Sequence, residues 1–77
     1  MEGCELRNRI RVQRAIKNVT QQELAAGVGV TRKTINTIEN GRFVPSTILA
    51  IRLARFFGLA VEELFELVEI AREGYPN

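Results

Sequence analysis

The chain has 77 residues, 45% of them hydrophobic and 26% charged, with a formal net charge of +2. That length makes one domain near the lower limit for a single core, and the composition is that of a folded chain. No histidine and one cysteine, Cys4, leave no zinc site or internal disulfide to assemble. No apolar run approaches the roughly 18 residues that span a bilayer and no signal-peptide core is evident, so a soluble, cytoplasmic protein is expected.

Charge is uneven along the chain. Residues 1 to 42 carry eight Lys/Arg against four Glu, while residues 62 to 77 carry five Glu against Arg72. A basic front and an acidic tail suit a protein that turns one side toward phosphates; they are equally what two solvated helix faces look like.

Taken in order, the spacing predicts a first helix from about Glu5 to Asn18, with Leu6, Ile10 and Ala15 toward the core. Val12 and Ile16, four apart, add a second apolar stripe next to Val19, which needs cover from the C-terminal tail or from a second subunit. A second helix starts at Thr20, three residues before Glu23 in a T-x-x-E capping box, and buries Leu24, Ala25 and Val28. Gly29 is the turn, where glycine takes positive φ without steric cost, and Ala25 is small enough for a close helix crossing. Thr31 can cap a third helix, Arg32 to Asn40, with Val30, Thr34, Ile35 and Ile38 on one face. Asn40-Gly41 ends it, Arg42 to Val44 form a short loop, and Pro45-Ser46 starts a fourth helix over about Thr47 to Phe57. Leu49, Ala50, Leu53, Ala54 and Phe57 face the core there, and Gly58 closes the helix. Ile48, Ile51 and Phe56 make it apolar nearly all round, which favours self-association. A fifth helix, about Val61 to Phe65 or a little beyond, starts at Ala60, which has no capping oxygen. From Leu67 to Ala71 the pattern fits either a continued helix or a strand; an extended arm that pairs with its twin across a twofold axis is the favoured reading. Tyr75, Pro76 and Asn77 are expected to fray.

The stretch TQQELAAGVGVTRKTINTIENGR, followed by PS and an apolar helical pattern ending in FFGL, resembles the Cro/C1-type (Xre) helix-turn-helix family of transcriptional regulators. The resemblance runs from about Asn8 to Phe65. It implies an all-α, five-helix, lambda-repressor-like DNA-binding domain over residues 1–66, with residues 67–77 as a tail able to serve as a dimerisation arm. It also implies that Arg14 meets Glu39 in a partly buried ion pair; otherwise Arg14 is a solvated charge or a phosphate contact. Two positions depart from the family pattern, Gln13 where a leucine is often found and Ala60 where a serine or threonine cap is usual.

Thr31, Arg32, Lys33, Asn36 and Thr37 lie opposite Ile35 and Ile38, so burying the aliphatics turns them outward. By position in the resembling family, Arg32, Lys33 and Thr37 are base-reading candidates, and Asn36 has the chemistry to read adenine. Gln21, beside the free amides of a helix start, and Thr31 are candidate phosphate contacts. Asn40 and Arg42 are placed at the phosphates by resemblance, although Asn40 is as well suited to capping its helix. Arg9 and Arg11 add long-range attraction. The expected partners are double-stranded DNA and a second copy of the chain, because one such domain buries too little surface for tight operator binding. Phe56, Leu59, Phe65, Leu67, Val68 and Ile70 are the candidates for the dimer contact. A repressor is what the resemblance favours. An antitoxin-like or other protein-interaction module on the same scaffold is the alternative, and the cationic start of the third helix speaks against it. With no Asp and no Ser or Cys beside a base, no enzyme, cofactor or metal is expected, nor is a membrane or a small-molecule effector.

Overall fold

In the computed structural model, which describes residues 3–69, seven elements follow one another: β1 (Cys4–Asn8), α1 (Ile10–Lys17), α2 (Gln21–Val28), α3 (Arg32–Glu39), α4 (Thr47–Phe57), α5 (Val61–Leu64) and β2 (Phe65–Glu69). The helices enclose one core, in which Ile10, Leu24, Ile35, Ile38, Leu53 and Leu64 are the largest fully buried side chains. Ala25, Val28, Leu49, Ala54, Phe57 and Phe65 complete it. Each of the three middle helices has its own cap. Thr20, Thr31 and Ser46 accept from the amides of Glu23, Thr34 and Leu49 at 3.0, 3.2 and 3.1 Å, which satisfies a donor that the helix start would otherwise leave open. Helix α5 has half of such a cap: Glu63 accepts from the Ala60 amide at 2.8 Å, and Ala60 has no oxygen with which to return the bond.

The ends of the described chain correct the all-α expectation. The first helix starts at Ile10, not at Glu5, and residues 4–8 form a strand that pairs antiparallel with β2. Leu6 and Ile10 are four apart and fit a helical stripe, but Cys4, Leu6 and Asn8 are also alternate residues. The strand wins because β2, some sixty residues later, offers backbone partners in the register Leu6↔Leu67 and Asn8↔Phe65. Asn8 joins the two regimes. Its Oδ1 accepts from the Ile10 amide at 3.2 Å, opening α1, and its Nδ2 donates to the Ile38 carbonyl at 3.0 Å, holding the end of α3. The Arg9 amide donates to the Leu64 carbonyl at 2.9 Å, so the sheet is anchored at its base.

Three smaller expectations change with this. Ala15 is exposed, because five residues from the buried Ile10 is about 140° around a helix. Helix α5 stops at Leu64, and Phe65 opens the strand. Strand β2 runs to Glu69 and pairs with the chain's own N-terminal segment; Ile70 and residues 71–77 lie outside the described residues.

Candidate nucleic-acid interface

Two eight-residue helices, α2 and α3, meet at Gly29, whose φ of 80° ends α2. The amides of Gly29 and Val30 both donate to the Ala25 carbonyl, at 2.9 and 3.0 Å, which folds the chain back sharply. Leu24, Ala25 and Val28 of α2 and Ile35 and Ile38 of α3 are buried against one another and the core. The outer face of α3 follows from that burial. Arg32, Lys33 and Asn36 are exposed, with the half-buried Thr37 beside them. The Thr37 hydroxyl donates to the Thr34 carbonyl at 2.9 Å, which leaves its methyl group as the part available for contact. Thr31 caps the helix, and its hydroxyl also bonds that of Thr34 at 3.0 Å.

A buried carboxylate ties the three helices of this side together. The side chain of Glu39 is fully buried, and Arg14 grips it with two bonds, Nε to Oε2 at 2.6 Å and a terminal nitrogen to Oε1 at 3.0 Å. Arg14 also donates to the Val19 carbonyl at 3.2 Å. Gln21 of α2 donates its Nε2 to Glu39 Oε1 at 3.1 Å, and the more exposed Arg11 reaches the same oxygen at 3.5 Å. Burial alone would push the Glu39 carboxyl up. The hydrogen bonds from Arg14 and Gln21 and the charges of Arg14 and Arg11 outweigh it and hold the group below its ordinary value. The bond to Glu39 raises Arg14 in turn, against the opposing effect of its own burial.

The phosphate candidates are arranged unevenly. Gln21 sits at the first turn of α2, but its amide nitrogen is turned inward to Glu39, so the backbone amides of that turn are what it leaves to an anion. Asn40 caps α3, its Nδ2 donating to the Asn36 carbonyl and Oδ1 at 3.0 and 3.2 Å, while its Oδ1 accepts from Arg11 at 3.2 Å. Arg42 is exposed in the following loop. Arg11 is the residue that sequence reasoning undervalued: it reaches Glu39 and Asn40 across to α3 and, with Arg14, Gln21 and Arg32, lines a shallow cleft of about 500 Å³ beside the start of α2. Its spacing of three from Arg14 on one helix was the available signal. Arg9, by contrast, pairs with Glu66 at 3.2 Å and belongs to the sheet.

The dimer candidates do not form one surface. Phe65 is in the core and Leu59 is half-buried against it, so within one chain the helices already cover most of both. Leu67 is 54% exposed, whereas Val68 lies on the opposite face of the sheet, paired with Glu5. Phe56 stacks edge-on against Phe57, with its ring against Gly27; an added Cβ at Gly27 would lie 2.5 Å from that ring.

The helix-turn-helix family profile matches residues 10–64 of the chain, α1 to α5. The chain belongs to the Cro/C1-type helix-turn-helix family. This family is one of DNA-binding transcriptional regulators. The chain is 43% identical over 60 residues to an uncharacterised HTH-type transcriptional regulator of Methanocaldococcus jannaschii, covering 78% of this chain and 91% of that one. It is 32% identical over 75 residues to the ImmF control region 10 kDa protein of Bacillus phage phi105, a match that covers 96% of this regulator and 83% of the phage protein. Among solved structures, the restriction-modification controller protein C.AhdI of Aeromonas hydrophila superposes with a TM-score of 0.67 at 27% identity, over 71% of this chain and 83% of that one. Among the described residues of this Cro/C1-type chain, no helix is long and apolar enough to cross a membrane.

Proposed function

We propose that the chain is a sequence-specific regulator of double-stranded DNA that lays α3 in the major groove and acts as a dimeric repressor. The observation that carries this is the start of α3. Arg32 and Lys33 stand exposed in its first turn, where the helix dipole disfavours cations, and among the described residues neither enters an ion pair. Charges placed at a small electrostatic cost and left unpaired are suited to an external anion, and here they border a base-reading face. Arg32 and Lys33 have the donors for guanine O6 and N7, Asn36 for adenine, and the Thr37 methyl fits a thymine methyl. The amides at the start of α2, Thr31, Asn40 and Arg42 flank that face and would fix register on the phosphates. Glu39 holds α1, α2 and α3 in one relative position, so the flanks and the reading face approach DNA as a unit. Two copies would read half-sites about one helical turn apart, and a small dimer seated there excludes other proteins from the same groove.

Selection of bound sequences from a random duplex pool, at fixed near-physiological salt, tests the proposal. A twofold-symmetric enriched motif is the expected result. Weak, salt-sensitive binding without enrichment would overturn it, since phosphate attraction alone carries no sequence information.

A further inference from the structure

At the far end of α2 from the cleft that Arg11 and Arg32 line, a shallow recess of about 520 Å³ opens between residues 26–29 and the Arg52, Arg55 and Phe56 side of α4. These three residues share one helix face, because Arg55 and Phe56 follow Arg52 by one helical turn. Arg52 and Arg55 are exposed, and among the described residues neither side chain takes part in a hydrogen bond or an ion pair. A terminal nitrogen of Arg52 lies 3.7 Å from the place that a Cβ on Gly29 would take, so its charge stands at the C-terminal end of α2, where the helix dipole favours a cation. The ring of Phe56, 39% exposed, rests against Gly27 and gives the recess an apolar wall. Gly27 lies inside α2, where alanine would be better by about 1 kcal/mol; the missing side chain is the room that the ring occupies. The α2 side supplies acceptors. Of the last four carbonyls of that helix the turn uses the one of Ala25, and among the described residues those of Ala26, Gly27 and Val28 accept no bond.

We infer that this recess docks an acidic segment of a partner protein, one that sets carboxylates beside an apolar side chain. The charge complement is one-sided: two unpaired guanidiniums border the recess and no acidic side chain lines it. Guanidinium and carboxylate match as planar groups that share two parallel hydrogen bonds. Phe56 meets the apolar side chain next to them, and the open carbonyls of α2 accept amide hydrogens, which a polypeptide backbone carries. A DNA phosphate fits less well. It brings acceptors alone, it would face the negative end of the α2 dipole, and it has nothing to place on Phe56. Position gives the same answer, since Gln21 and the amides offered to phosphate stand at the other end of the eight-residue α2, about 12 Å along the helix. No residue of the recess belongs to the outer face of α3, so an occupant leaves Arg32, Lys33 and Asn36 clear. A shallow, open site also suits a stretch of chain that lies across it more than a small molecule, which needs an enclosing pocket.

Selection from a displayed library of random peptides on the full chain tests the inference. Peptides rich in Asp and Glu around an apolar residue are the expected winners. A synthetic copy of the most enriched peptide, titrated by calorimetry, should bind the double variant Arg52→Gln with Arg55→Gln about tenfold more weakly, the scale of two partly screened ion pairs. Phe56→Ala should weaken it about fivefold, with the circular dichroism of both variants unchanged. Lys17→Gln, which removes an exposed cation from α1, should leave the affinity as it is and so controls for net charge. No enrichment, winners without acidic bias, or equal binding by the double variant overturns the inference. So do two results that name another occupant: a salt dependence of duplex binding that falls by about two phosphate contacts in the double variant, which would give the arginines to DNA, and a sedimentation mass that falls with the same change, which would give them to a second copy. The outcome is separable from the DNA reading. A wild-type chain that enriches acidic peptides but no duplex motif removes that reading alone, and the reverse result removes this one alone.

Discussion

Replacing Arg14 by methionine isolates the energetics of the buried carboxylate. The substitution keeps most of the aliphatic stem and removes the two bonds, at 2.6 and 3.0 Å, that neutralise Glu39, whose side chain has no contact with solvent. What remains is Gln21, which carries no charge, and Arg11, which is 66% exposed, reaches Glu39 from 3.5 Å and is screened by water. Stranding a buried charge in this way costs about 3–5 kcal/mol, a large share of the stability of a domain of this size. At about 4–8 °C per kcal/mol for a small domain, thermal unfolding should fall by roughly 12–40 °C, read by circular dichroism at neutral pH. Arg11→Ala should cost less than about 1 kcal/mol, because Arg11 is 66% exposed and water screens its charge. The double change Arg14→Met with Glu39→Leu should recover much of the loss, since the penalty lies in the unpaired charge and not in the missing bonds. The loss should also shrink as pH falls. Protonating Glu39 removes the stranded charge in the variant, while in the wild type it removes the favourable pair. An Arg14→Met protein no less stable than Arg11→Ala, or a loss that stays constant down to acid pH, would refute the account of Glu39 as a desolvated anion neutralised by Arg14.

Other outcomes follow from named contacts. The depressed Glu39 carboxyl contributes stability that is complete above the ordinary glutamate value and is lost as pH falls through its lowered one; Glu39→Gln should therefore flatten the acid limb of thermal midpoint against pH. An acid limb as steep as that of the wild type would place the titration elsewhere. Asn8→Ala removes the bonds to the Ile10 amide and the Ile38 carbonyl and should cost about 1–3 kcal/mol in denaturant unfolding, a loss that a merely exposed asparagine would not show. Arg32→Ala should weaken binding to a selected site by about 1–3 kcal/mol with the fold intact and relax preference at one base pair, whereas Arg42→Ala should weaken all sequences alike and reduce the salt dependence. Binding titrations at two salt concentrations tell these apart, and equal losses on specific and random duplexes for Arg32→Ala would take it off the reading face.

Much of this chain could be read without its structure, because the decisive signals were local. Thr20 and Glu23 lie one helical turn apart, Gly29 sits where a left-handed residue is needed, and Ile35 and Ile38 fix which way Arg32, Lys33 and Asn36 point; each of these holds within ten residues of chain. The Arg14–Glu39 pair spans 25 positions and came from family resemblance, since nothing in the spacing brings those residues together. What the sequence could not settle depends on partners far away. Residues 4–8 have a pattern compatible with helix, and they are a strand only because residues 65–69 lie alongside to take their backbone bonds. Phe65 and Leu67 read alike in sequence, yet the sheet points one into the core and carries the other past its edge. Helical and turn propensities are properties of a segment, so the sequence determined the helices, their caps and the outward face of α3. Pairing of the ends and the complete burial of the Glu39 side chain are properties of distance in space, and the tertiary structure alone decided them.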